Sequence, residues 1–186
     1  MKFIGAVFLM IMASKSLGAE KPDRTPFLTV GSRQWSGHLE GRALDVGLIT
    51  YEHRSGLPML LDERESGFGA LISKGAKSTK GSSLPLTKDE EFTNYGLFVS
   101  EGECLKIQTL NRLCLGGQLE ALAFNQKKSS QPYFELGLYA AVERPLFDQF
   151  VTRLDVRHSL FSQEVNGVKA GASNWVVAAG LGWNGF

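Results

Sequence analysis

Three segments near the carboxyl end alternate apolar and polar side chains over ten or more residues, and this constrains the fold more than any other property of the chain. In "YFELGLYAAVER", Phe134, Leu136, Leu138, Ala140 and Val142 share one face; Tyr133, Glu135, Gly137, Tyr139, Ala141 and Glu143 share the other. In "QFVTRLDVRHSLF", Phe150, Leu154, Val156 and Leu160, with Thr152 and His158 among them, oppose Val151, Arg153, Asp155, Arg157 and Ser159. The last segment, "NWVVAAGLGWNGF", sets Trp175, Val177, Ala179, Leu181 and Trp183 against Val176, Ala178, Gly180 and Gly182. A period of two is the pleat of a β-strand with unlike faces. "LCLGGQLEALAF" repeats it, with Leu113, Leu115, Leu119 and Ala121 opposite Gln118 and Glu120.

Strands this long with one long, mainly apolar face fit a soluble sheet or a membrane barrel. The terminal strand favours the membrane. Eight steps from Trp175 to Trp183 span roughly 26 Å, or about 20 Å along the bilayer normal after a tilt of about 40°. That is close to the apolar band of an outer-membrane barrel, with an indole at each interface. These five residues are therefore expected to face lipid. The charges on the opposite faces, Glu135, Glu143, Arg153, Asp155 and Arg157, are expected to point into the lumen and satisfy one another there.

The amino terminus supports export. "MKFIGAVFLMIMASKSLGAE" has Lys2, an apolar run from Phe3 to Ala13, then small and polar residues. This is the layout of a signal peptide, and the run is too short to span a bilayer. Cleavage after residue 18 or 19 is expected, leaving 20–186 as the barrel. Loss of Lys2 and Lys15 takes the formal charge from +1 to −1, so no basic surface recruits nucleic acid. In an oxidising compartment Cys104 and Cys114 are expected to be bonded rather than free. A hairpin turn near 108–110 would set them opposite each other on paired strands.

Eight strands are expected near 27–35, 43–54, 67–75, 92–104, 113–124, 132–143, 148–160 and 174–184. Connections near 145–147 and 106–111 read as tight. Those at 161–172, 125–131 and 76–91 read as longer and polar, and "KGAKSTKGSSLPLTKDEE" reads as the longest and most mobile loop. Residues 55–66 are long for a turn, and Met59 to Leu61 fits either a short helix or a strand extension.

With its signal peptide, its alternating carboxyl-terminal strands and its terminal "GLGWNGF", the chain resembles the small eight-stranded bacterial outer-membrane β-barrels of the OmpX, opacity-protein and OmpA-barrel type. The resemblance is strongest over about the last 75 residues. It implies a transmembrane antiparallel up-and-down barrel in the outer membrane, surrounded by lipid and lipopolysaccharide. It also implies that the barrel-assembly machinery reads Phe186, the terminal aromatic residue. Asn184 stands where the family has a second aromatic, and Trp183 is one place earlier.

Such barrels host several functions. A structural or loop-mediated envelope role needs only the pattern described, with no cofactor, no metal and no catalytic residue; the loop partner is not encoded in any recognisable motif. A secreted soluble barrel binding a small apolar ligand is the alternative, and it requires the apolar faces to point inward. A third possibility is a lipid A-modifying enzyme. Some such barrels place a histidine and, two positions on, a serine on the lipid-facing side. Here Leu160 follows His158 at that spacing and Ser159 points the other way, so His158 reads as a polar interface residue. Glu164, in the next loop, has no evident partner.

Overall fold

A computed structural model describes residues 23–36, 40–55, 60–78, 91–108, 111–126, 129–147, 149–162, 164–165, 168–169 and 173–183. The expected signal peptide, Met59, most of the 76–91 loop, and Asn184 and Phe186 lie outside these residues. The strands are β1 (Asp23–Ser36), β2 (Glu40–Arg54), β3 (Glu63–Ser78), β4 (Glu91–Gln108), β5 (Asn111–Gln126), β6 (Ser129–Phe147), β7 (Phe150–Ser162), β8 (Glu164–Val165), β9 (Val168–Lys169) and β10 (Ser173–Trp183). Eight of them close into an antiparallel barrel in the order β1-β10-β7-β6-β5-β4-β3-β2. From β1 to β7 each strand pairs with the next in sequence, β7 pairs with β10 past the separate β8 and β9, and β1 closes the ring on β10. The segment 161–172 is not all loop, because β8 and β9 form a small ladder of their own, Glu164 opposite Lys169 and Val165 opposite Val168.

Several strands run beyond the alternation that announced them. β5 and β6 extend to Gln126 and from Ser129, so the connection expected over 125–131 shrinks to 127–128. β6 continues through Pro145 to Phe147 and β7 starts at Phe150, so residues 145–147 are strand and the connection between the two lies beyond them. Pro145 lies beside a register shift between β6 and β7, where the ladder does not need its missing donor. β3 starts at Glu63 and Leu60–Asp62 is bent, so Leu60 and Leu61 are neither helix nor strand extension, while Met59 lies outside the described residues.

The stagger follows from the register. Starting at Glu63, successive partners are Cys104, Cys114, Ala141, Asp155, Ala178, Gly31, Asp45 and then Ser73, back on β3 and ten residues along from position 63. For eight strands, that shear tilts them by about 40°, so one residue along a strand climbs about 2.5 Å of barrel axis and one step around the ring climbs about 3 Å.

A barrel of eight strands has an interior just wide enough to be filled by side chains. Phe27, Ile49, Tyr51, Leu71, Phe98 and Val151 form its apolar packing. The rings of Phe27 and Tyr51 meet edge-on at 5.7 Å, and those of Tyr51 and Phe98 at 6.4 Å. Glycines make room for the larger rings. Gly102, Gly116 and Tyr139 are cross-strand neighbours, and a β-carbon on Gly116 would sit 2.6 Å from Tyr139 Cε1. Gly67 lies under Tyr51 in the same way, at 2.7 Å. Part of the chain's glycine content is thus a consequence of barrel width.

Candidate functional site

The inward face of nearly every strand carries charge, and the shear brings those charges into two groups. In the lower group Arg153 is fully buried. Its Nε donates to Asp155 Oδ1 at 2.9 Å, its Nη1 to Glu143 Oε1 and to Glu65 Oε2 at 2.6 Å, and its Nη2 to Glu65 Oε1 at 3.0 Å. Tyr139 Oη donates to Glu65 Oε1 at 2.7 Å, and His53 Nε2 lies 2.9 Å from Glu65 Oε2. The guanidinium carbon of Arg153 also stands 3.6 Å from the Tyr51 ring centre, a cation–π distance. At the lower mouth Arg112 bonds Glu63 at 2.8 Å and Asp23 at 2.9 Å.

In the upper group Arg33, also fully buried, donates to Asp45 Oδ2 at 2.8 Å, to Glu135 Oε2 at 2.7 Å and to Glu120. Arg157 Nη1 donates to Glu120 Oε1 at 3.0 Å. Ser159 Oγ donates to Glu135 at 3.1 Å and Asn174 Nδ2 at 2.8 Å. Charges removed from water persist only when paired and hydrogen-bonded, and the planar five-donor guanidinium can hold several carboxylates at once.

Glu135, Glu143, Arg153, Asp155 and Arg157 all point inward and are 1–2 % exposed. They do not make one network on two adjacent strands. Glu143, Arg153 and Asp155 belong to the lower group, while Glu135 and Arg157 meet through Glu120 and Arg33 in the upper one. Arg33, Asp45, His53 and Glu65 were not singled out from the sequence. The available signal was parity: Arg33 shares a face with Thr25, Phe27, Thr29 and Gly31, and each of these is buried.

Cys104 and Cys114 are directly paired across β4 and β5 with Cα atoms 4.0 Å apart and are joined by a disulfide; both are fully buried. Their sulfurs lie near His53 and Glu65, a grouping of metal-donor residue types. With the sulfurs bonded to each other they supply no thiolate, and His53 and Glu65 already face each other within hydrogen-bond distance.

The outer wall is the converse of the lumen. Trp175, Val177, Leu181 and Trp183 are 41–50 % exposed, and Ala179 is exposed with them. Leu28, Leu48, Leu97, Leu138, Leu154 and many other large apolar side chains are also exposed on this wall. His158 is on the wall, its ring stacked on Trp175 at 4.2 Å. Ser159 is inside, bonded to Glu135, so the two do not form a histidine–serine pair. No helix among the described residues is long and apolar enough to cross a membrane, which says nothing of crossing by strands.

No protein-family model matches the chain. The search of curated proteins finds no match either. Among solved structures, Neisserial surface protein A is similar over 90 % of this chain and 99 % of its own, with 15 % identity and a TM-score of 0.55. The attachment invasion locus protein of Yersinia pestis aligns over 88 % of this chain and 99 % of its own, with 13 % identity and a TM-score of 0.43. A closed ring of eight antiparallel strands, charged within and apolar without, is the fold that this chain shares with Neisserial surface protein A.

Proposed function

We propose that the protein is a non-enzymatic barrel of the bacterial outer membrane, exported by its signal peptide, with a structural role or one exerted through its surface loops. The observation that carries this reading is the parity of the wall: buried ion pairs line the inside and large apolar side chains cover the outside. In water such an outer surface would be one continuous apolar patch, far larger than soluble monomers expose. In lipid it is an ordinary barrel wall, with Trp175 and Trp183 at the two interfaces. Arg42 and Lys74, exposed just above Leu44 and Ile72, then lie at the level of outer-leaflet headgroups and suit the phosphates of lipopolysaccharide.

A soluble barrel for an apolar ligand needs the opposite parity. Here the inward positions are occupied by Arg33, Glu65, Glu120, Glu135 and Arg153, so an apolar guest would have to displace paired charges. The same side chains fill the lumen and make it a poor conduit.

Fractionation tests the proposal. The protein should be recovered with outer membranes, require detergent for release, and migrate on a gel at different positions before and after boiling. Recovery in the soluble periplasmic fraction would refute it.

A further inference from the structure

The apolar belt is not equally tall around the barrel. On β10 its lower edge is Trp183. By the climb of about 2.5 Å per residue and about 3 Å per strand, Ile107 on β4 and Leu146 on β6 reach about 6–8 Å below the level of Trp183. Both are more than half exposed. Around β1 to β3 the edge runs the other way, and on β4 Glu101 and Glu103 interrupt the belt above the exposed Leu105 and Ile107. The outward positions there are Arg24, Glu52, Arg54, Arg64, Glu101 and Glu103, and the same arithmetic lifts Glu101 about 7 Å above Trp183. Arg24 Nε bonds Glu52 at 3.0 Å, Arg54 Nε bonds Glu52 at 2.6 Å, and Arg64 Nε bonds Glu101 at 3.0 Å. Glu103 accepts the amides of Leu60 and Leu61 at 3.2 and 3.1 Å. Among the described residues, polar side chains thus rise as a wedge into the lower wall on this side, up to Ser66 and Glu101, whereas on β6 the outward charge Arg144 stays near the level of Trp183, as Arg24 and Arg64 do. Leu60, 95 % exposed, is on the turn beneath the wedge and does not restore the belt.

Given the membrane reading above, we infer that this wedge is a docking surface for the headgroups of inner-leaflet phospholipids, drawn up around β1–β3 and the Glu101 edge of β4 so that the bilayer is thinner on that side. A belt shorter than the bilayer is met by local thinning. Three guanidinium and three carboxylate groups give the wedge no net charge. That complements a zwitterionic headgroup, whose phosphate suits Arg24, Arg54 and Arg64 and whose ammonium suits Glu101, while Glu52 is buried between Arg24 and Arg54. A purely anionic headgroup would meet the carboxylates unfavourably.

Ser66 allows a test that leaves the ions in place, because it faces outward at the centre of the wedge, paired with Glu52 on one side and Glu101 on the other. Leu115, Val142 and Leu181 lie within about 2 Å of the same level around the ring. A nitroxide is attached at each position in turn through Ser66→Cys, Leu115→Cys, Val142→Cys and Leu181→Cys. The native disulfide stays oxidised, and the protein is refolded in phosphatidylethanolamine–phosphatidylglycerol vesicles. Collision rates with oxygen and with a water-soluble nickel chelate report depth. The nickel rate should be several-fold higher at 66 than at the other three, and should fall to their level when Arg64→Leu and Glu101→Leu are combined with Ser66→Cys. Equal shielding at all four positions would overturn the inference while leaving the membrane reading standing. Spin–spin broadening at 66 that is relieved by dilution with unlabelled protein would overturn it too, because a second copy would then cover the wedge. High nickel rates at 115, 142 and 181 would refute the membrane reading itself.

Discussion

Replacing Arg153 with methionine removes the centre of the lower lumen group with modest loss of volume. The side chain makes four hydrogen bonds to three carboxylates, Glu65, Glu143 and Asp155, and lies over the Tyr51 ring. Without it the three carboxylates remain where water is scarce. His53 and Tyr139 still hold Glu65, so the loss should fall near the lower end of the range for breaking a buried pair, about 3 kcal/mol within a span of about 3–5. Arg24→Met is the control: Arg24 is 62 % exposed beside Glu52, and pairs of that kind contribute about 0–1 kcal/mol. Because the penalty comes from stranded carboxylates, Arg153→Met combined with Glu65→Gln should be less destabilised than the two single changes added together, with a coupling of about 1–3 kcal/mol. Reversible urea unfolding in lipid vesicles, followed by tryptophan fluorescence, measures all four variants. Equal stabilities for Arg153→Met and Arg24→Met, or strict additivity with Glu65→Gln, would mean that this network does not hold the barrel together.

Mass spectrometry of unreduced peptides should find Cys104 and Cys114 linked, and replacing both with serine should cost about 2–3 kcal/mol for so short a closed loop; free alkylation of both thiols in exported protein would count against the bond. Gly116→Val should prevent Tyr139 from lying across β4 and β5, and so lower the unfolding midpoint well beyond the effect of Gly117→Val, because a β-carbon at 117 meets only the Gly137 carbonyl oxygen at 3.8 Å; similar midpoints would refute the crowding account.

The carboxyl-terminal strands were legible because each assigns unlike chemistry to its two faces: every inward position from Arg153 to Ser159 is polar, and the apolar residues between them are on the wall. The first four strands read poorly for a physical reason. Their inward positions include Phe27, Ile49, Leu71 and Phe98, the apolar part of the lumen, while outward positions on β2 to β4 include Glu52, Arg64 and Glu101. Both faces are mixed, and alternation fades. Nor does parity reveal which charges meet. Arg33 bonds Glu135, 102 residues away, and Arg153 bonds Glu65, 88 residues away; those meetings are set by the ten-residue shear, which belongs to the closed ring and to no single strand.

The claim that the outer wall faces a bilayer is tested most directly by arginine placed in turn at 175, 177, 179, 181 and 183, with refolding stability measured in lipid vesicles. All five positions are exposed along one face of β10. Ala179→Arg, midway between the tryptophans, should cost about 2–4 kcal/mol, and Trp175→Arg and Trp183→Arg about 0–1 kcal/mol from charge burial, apart from the lost indole contacts. A profile that peaks at 179 is the predicted result; a flat one would show that this face does not meet a membrane.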